Sequence, residues 1–158
     1  MRDAICTTGD PERGFTLIEL LTVIGLLAIL SMLSLRTFAL YRSNAGNASA
    51  QSTLHSAIVA AEASQSDPSN LPPAVGWYFQ NTQGSLTGAA EEYLSGLRLP
   101  SKTCLWAMYD PSCSGAFCMA DLVEVAHCMG TKRAMWVRWG DGWSLLINDV
   151  PGGAPWCC

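Results

Sequence analysis

The chain has 158 residues and a mass of 16.9 kDa, room for one modest domain and an appendage and too little for a multidomain enzyme. Apolar residues make up 49% and charged residues 14%, which excludes low-complexity disorder and lies well under the roughly 25% charge usual in soluble domains. Nine Lys plus Arg against 13 Asp plus Glu give a net charge of −4, so no basic surface exists to neutralise many phosphates and direct nucleic-acid binding is not expected.

In chain order, the first strong signal is Phe15 to Leu35, 21 residues whose only charge is Glu19. As a helix this run reaches roughly 31 Å, close to the ~30 Å hydrocarbon thickness of a bilayer. A secretory signal would have a shorter apolar region with a cleavage site just behind it, whereas the nearest A-x-A here, Ala48-Ser49-Ala50, lies 13 residues past Leu35. Arg2 and Arg13 precede the run and Arg36 and Arg42 follow it, so flanking charge does not choose an orientation. Cysteine does. Cys6 precedes the run, while Cys104, Cys113, Cys118, Cys128, Cys157 and Cys158 all follow it, about 11% of the last 55 residues. That density marks an oxidised, disulfide-stabilised scaffold outside the cytoplasm.

An ionised carboxylate in hydrocarbon costs about 2.5–3.5 kcal/mol on insertion scales, so Glu19 requires a partner, a polar cavity or a place near the headgroups at the helix start. The residues before it read Arg13-Gly14-Phe15-Thr16-Leu17-Ile18-Glu19. This stretch resembles the amino-terminal signature of type IV pilins and pseudopilins, and the resemblance covers roughly residues 13 to 66. It implies a leader, residues 1–14, cut by prepilin peptidase between Gly14 and Phe15, with Phe15 then N-methylated and Glu19 fifth in the mature chain. It further implies that Glu19 pairs with the terminal amine of an adjacent subunit during filament assembly. Two departures stand out: the leader carries Asp3, Asp10 and Glu12 where family leaders tend to be basic, and Arg36 occupies a place where many members have a helix-loosening proline.

Beyond the apolar run, residues 36–66 contain no proline, and Leu54, Ala57, Ile58 and Ala61 fall at helical spacing on one face. One helix over 15–66, roughly 78 Å long, is expected, with 15–35 as its transmembrane or filament-core part. Its weak place is Ser43-Asn44-Ala45-Gly46-Asn47, where poor helix formers cluster and a bend or fray is expected. Pro68, Pro72 and Pro73 end it. A cysteine-rich head over 67–158 follows. There, residues 76–88 read as loop, 91–99 as a short helix, and 122–128 as a third strand or a helix. Residues 134–139 and 143–147 flank Gly140-Asp141-Gly142 as a hairpin. The fold class is therefore α+β, a long amino-terminal helix packed on a small antiparallel sheet and stapled by disulfides.

The six exported cysteines lack any C-x2-C knuckle and no C-x-x-C-H is present, so neither zinc nor covalent haem is expected. Three disulfides are the better account, with the pairing open except that Cys157 and Cys158 take different partners. Adjacent alpha carbons lie about 3.8 Å apart, too close for an ordinary bridge. His55 and His127 have no visible ligand set, and Asp110, Asp121, Asp141 and Asp149 form no calcium-loop spacing. No nucleophile with its base is nominated, and Gly152-Gly153 has no Lys or Ser behind it, so no enzyme activity, metal or cofactor is expected. The six tryptophans, all beyond Gly76, read chiefly as core or subunit contacts, with surface adhesion as a lesser reading.

The resemblance thus implies a structural pilus subunit. It would be single-pass in the inner membrane as a precursor and then part of a cell-surface filament. Its partners would be other copies or homologous subunits, prepilin peptidase and the pilus assembly machinery. A pseudopilin of a type II secretion or DNA-uptake system, working as a periplasmic filament, is the nearest alternative. A membrane-tethered periplasmic binding or redox module is the alternative from another class.

Overall fold

A computed structural model describes residues 14–67, 71–152 and 157, and the chain divides into two compact units, Met1–Phe38 and Ala39–Cys158. One helix, α1 (Leu17–Ser64), contributes to both. In the first unit it is apolar all round and exposed throughout, and α1 is long and apolar enough to cross a bilayer. Three hydroxyls there bond to their own backbone: Thr22 Oγ1 donates to the Glu19 carbonyl at 2.9 Å, Ser31 Oγ to the Leu27 carbonyl at 2.7 Å and Thr37 Oγ1 to the Leu33 carbonyl at 3.1 Å.

In the second unit α1 buries a stripe of Gly46, Ala50, Thr53, Leu54, Ala57 and Ala61, spaced as one helical face. Small residues let the helix axis approach the sheet. The sheet has five antiparallel strands in the order β1 (Val75–Gln80), β4 (Thr103–Tyr109), β5 (Met119–His127), β6 (Lys132–Trp139) and β7 (Ser144–Pro151). Leu105, Ala107 and Tyr109 of β4 face α1 in register with Val125, Val123 and Asp121 of β5, which pair in turn with Ala134, Trp136 and Arg138 of β6. These rows and the α1 stripe form the main core. Two short strands, β2 (Gly84–Ser85) and β3 (Arg98–Leu99), pair beside it around α2 (Ala89–Tyr93).

The α+β class and the β6–β7 hairpin are as the sequence predicts. Three local expectations are corrected, and one open alternative is decided. Residues 76–80, part of the expected 76–88 loop, belong to edge strand β1, because Trp77-Tyr78-Phe79 is a strong strand former and pairs with β4. The expected helix over 91–99 is shorter and earlier, at Ala89–Tyr93, and Gly96 at φ +77° turns the chain into β3. Of the two readings of 122–128, strand is the one formed, within β5, since pairing on both sides overrides the helix preference of Leu, Glu and Ala. Finally, α1 runs through residues 43–47 as unbroken helix.

The reason lies in what those five residues touch. A Cβ on Gly46 would come within 2.9 Å of both the Gly130 nitrogen and His127 Nδ1, so only glycine allows this approach to the β5–β6 turn. Next to it, Asn47 Oδ1 accepts the backbone N–H groups of Thr131 at 3.0 Å and Lys132 at 3.1 Å. Residues that weaken an isolated helix are the ones that dock it here.

Cys104 is bonded to Cys157 and Cys113 to Cys118, with alpha carbons 5.5 and 5.6 Å apart, and Cys128 is disulfide-bonded as well. Residues 1–13, Trp156 and Cys158 lie outside the described residues. The Cys104–Cys157 bridge brings the chain from the end of β7 back to β4, where Cys104, Ala126 and Cys157 form a second small core.

Candidate functional site

The amino-terminal end of α1 holds the residues singled out by the signature. Gly14 and Phe15 precede the helix, and Phe15 is 81% exposed. Thr16 is the residue before the first helical position, and three residues on stands Glu19. The Thr16 amide and hydroxyl both donate to Glu19 Oε2, at 2.9 and 2.8 Å, and the Glu19 amide donates back to Thr16 Oγ1 at 3.3 Å. This is a reciprocal capping box, which satisfies helix-start donors and sets a carboxylate at the positive end of the helix dipole. The lone acid in the apolar run is therefore hydrogen-bonded locally, within its own first turn, four residues past Phe15. Sequence reasoning placed Glu19 near the helix start; the T-x-x-E spacing was the available signal for the box.

A second constellation lies in the head, and sequence reasoning did not find it. Asp121 is fully buried and accepts three bonds: from Gln65 Nε2 at 2.9 Å, from the Tyr93 hydroxyl at 2.9 Å, and from Arg138 Nε in a salt bridge. One carboxylate thus ties the end of α1, α2, β5 and β6 together. The Tyr93 ring stacks on Tyr109, centroids 4.8 Å apart and planes within 6°. Burial and the Asp121 charge push the Tyr93 hydroxyl far above its ordinary pKa, and burial raises Tyr109 as well. These residues are far apart in sequence and meet only through β-sheet register, so no local spacing announces them.

The other candidates have structural occupations. Asp110 Oδ1 accepts the Ser112 amide at 2.9 Å and hydroxyl at 2.6 Å, which holds its carboxyl below the usual range. Asp149 pairs with Lys132 at 2.8 Å, and Asp141 accepts the Trp143 amide at 3.2 Å. His127 Nδ1 accepts the Met129 amide at 3.1 Å, and burial followed by the Lys102 charge lowers its pKa. Among the described residues no group of three or more His, Cys, Asp or Glu could hold a metal ion. Trp136 is buried, Trp106 and Trp139 are half-buried, and Trp77 and Trp143 are exposed.

The capped helix start, the exposed apolar stretch of α1 and the disulfide-stapled α+β unit fit a pilin-like protein. Residues 10–35 match the family model for the prokaryotic N-terminal methylation motif. Residues 10–35 thus carry the type IV prepilin signature, the motif of a structural family, which supports a pilin-like or pseudopilin-like protein. That signature implies processing by prepilin peptidase and assembly into filaments, and together with the apolar helix it fits a membrane-anchored precursor. No curated protein and no solved structure matches the chain.

Proposed function

We propose that the chain is a structural subunit of a type IV pilus or pilus-like filament, built from its amino-terminal helix after removal of residues 1–14. The observation that carries this reading is the single acid, Glu19, at the start of an exposed apolar helix and fifth counting from Phe15 of the Gly14–Phe15 junction. In the precursor the Thr16 cap keeps Glu19 hydrogen-bonded within its own chain. Cleavage creates a cationic, methylated amine on Phe15, and that amine pairs with Glu19 of a neighbouring subunit. In a low-dielectric filament core each unpaired charge is costly, so a misregistered subunit is penalised. Lipid and neighbouring helices are almost equally apolar, so helix burial supplies little net transfer energy; packing and this pairing supply the specificity.

The disulfides of the head, residues 67–158, suit a filament exposed outside the cell. Amino-terminal mass spectrometry of native filaments tests the proposal. The expected mature chain begins with N-methyl-Phe15. Recovery of freely diffusing subunits that retain residues 1–14 overturns it and points to a tethered periplasmic module.

A further inference from the structure

At the end of the head where α1 finishes, the β4–β5 loop and the β6–β7 turn flank an open cleft of about 240 Å³, lined by Gln65, Leu71, Tyr109, Asp110, Arg138, Trp139 and the glycines of the turn. Its walls are fastened on each side. The Cys113–Cys118 bridge closes the loop, and the Gly140 amide donates to the Cys118 carbonyl at 2.8 Å. A Cβ on Gly140 would stand 2.7 Å from Ser114 Cα, so the turn and loop are in backbone contact. Asp121 fixes Arg138 through Nε, and the Tyr93 ring fixes Tyr109 by stacking. Such restraint leaves little ordering entropy to lose on binding.

The polar groups at the cleft are mixed in kind. Arg138 offers its remaining guanidinium N–H groups, Asp110 its Oδ2 and Gln65 its Oε1, none with another hydrogen-bond partner among the described residues. Beside them lies the Trp139 ring, extended by Trp143, 5.7 Å away centroid to centroid and 66% exposed. An anion fits poorly, because the Arg138 charge is already balanced by Asp121 and Asp110 adds a negative charge. A purely apolar ligand would leave the donors and acceptors unpaired. The arrangement suits a ligand with hydroxyls that both donate and accept and with a C–H face for an indole. The volume lies under the about 300–1,000 Å³ of pockets that enclose drug-sized ligands, so it takes one ring at a time.

We propose that this cleft binds a neutral sugar ring, stacked on Trp139 and hydrogen-bonded by Arg138, Asp110 and Gln65. The reading does not depend on whether the protein polymerises.

Saturation-transfer NMR on the full chain, held in a detergent without a sugar headgroup, tests it with the methyl glycosides of glucose, galactose, mannose and N-acetylglucosamine. Inorganic phosphate and sialic acid are the anionic arms. The expected result is saturable binding of at least one neutral glycoside in the millimolar range, weakened about fivefold or more by Trp139→Leu and less by Trp143→Ala. Trp143 is exposed, so its variant keeps the test usable if Trp139→Leu fails to fold. Absence of saturation by all four glycosides at up to about 50 mM overturns the proposal. So does preference for either anion, or binding indifferent to both substitutions.

Discussion

Two stretches of one helix behave oppositely. Before Arg42, α1 carries large aliphatic side chains on every side, and Ile18, Leu26, Leu30 and Leu35 are all more than half exposed. From Gly46 onward it carries small residues on one face, and Ala50, Ala57 and Ala61 are almost wholly buried. Helix propensity does not distinguish the two; partner geometry does. A helix that must lie in lipid or among copies of itself can be bulky all round, whereas one docked on a fixed sheet needs a narrow stripe that lets backbones approach. The contrast also separates functions. Under the proposed function, the first stretch would serve contacts that change during the life of the protein, and the second contacts that do not.

The largest expected effect falls on the first stretch. Glutamine still serves as the fourth residue of a capping box but carries no charge. Glu19→Gln should therefore leave helix content and membrane insertion unchanged while filament yield drops at least about tenfold, the size of a 1.4 kcal/mol loss. Glu19→Ala removes both roles. Filaments from Glu19→Gln at normal yield would reduce Glu19 to a helix cap, and the amine-pairing idea would be lost.

In the second stretch the strongest lever is Asp121, whose removal leaves Arg138 without its partner. Breaking a buried pair in this way costs about 3–5 kcal/mol, so Asp121→Ala should strongly depress thermal and urea stability of the head. Unchanged melting would show that the knot is not what joins α1, α2 and the sheet. Tyr93 gives the same knot a pH signature. Its folded pKa lies above the ordinary value near 10, so its contribution is complete below about pH 10 and is lost as pH rises beyond it. Urea melts between pH 8 and 11 should show stability falling at the alkaline end, with a flatter slope in Tyr93→Phe.

These two regions were unequally legible in the sequence. The apolar run, Glu19 and the cleavage motif are contiguous, so composition and spacing alone expose them. The α1 stripe at Leu54, Ala57 and Ala61 was equally visible because a helix encodes its buried face in local period. The knot was hidden, since Gln65, Tyr93, Asp121 and Arg138 meet only once strand register is set. Strand β4, the partner of both β1 and β5, went unannounced in the sequence, and β1 read as loop because its glycine and flanking polar residues obscured three consecutive aromatics. Residues 43–47 misled for the reason that makes them useful: propensity describes a helix in water, and this segment sits against a turn.

Gly46→Ala measures that seam directly. On an exposed helix the change would gain about 1 kcal/mol. Here the added methyl meets backbone nitrogen and an imidazole at 2.9 Å, and overpacking of this kind costs about 1–3 kcal/mol. The overlap should win, giving a net loss of up to about 2 kcal/mol by urea denaturation. A stabilised variant would mean that the helix can lift from the turn without penalty.

The smallest effect, on the other side of the same contact, is set by His127. Its Nδ1 accepts the Met129 amide, which requires an unprotonated nitrogen, and burial together with Lys102 holds its pKa below the ordinary value near 6.5. A group depressed in the folded state binds protons more readily when unfolded. Its contribution is therefore present above about pH 6.5 and is lost as pH falls through the lower folded value. Urea midpoints of the full chain should decline modestly from pH 7 to 5, and less in His127→Gln, whose side chain does not titrate. Equal slopes in the two proteins would locate the acid sensitivity elsewhere. Unequal slopes would show that the seam under α1 loosens in mild acid, as the Met129 amide loses its imidazole acceptor.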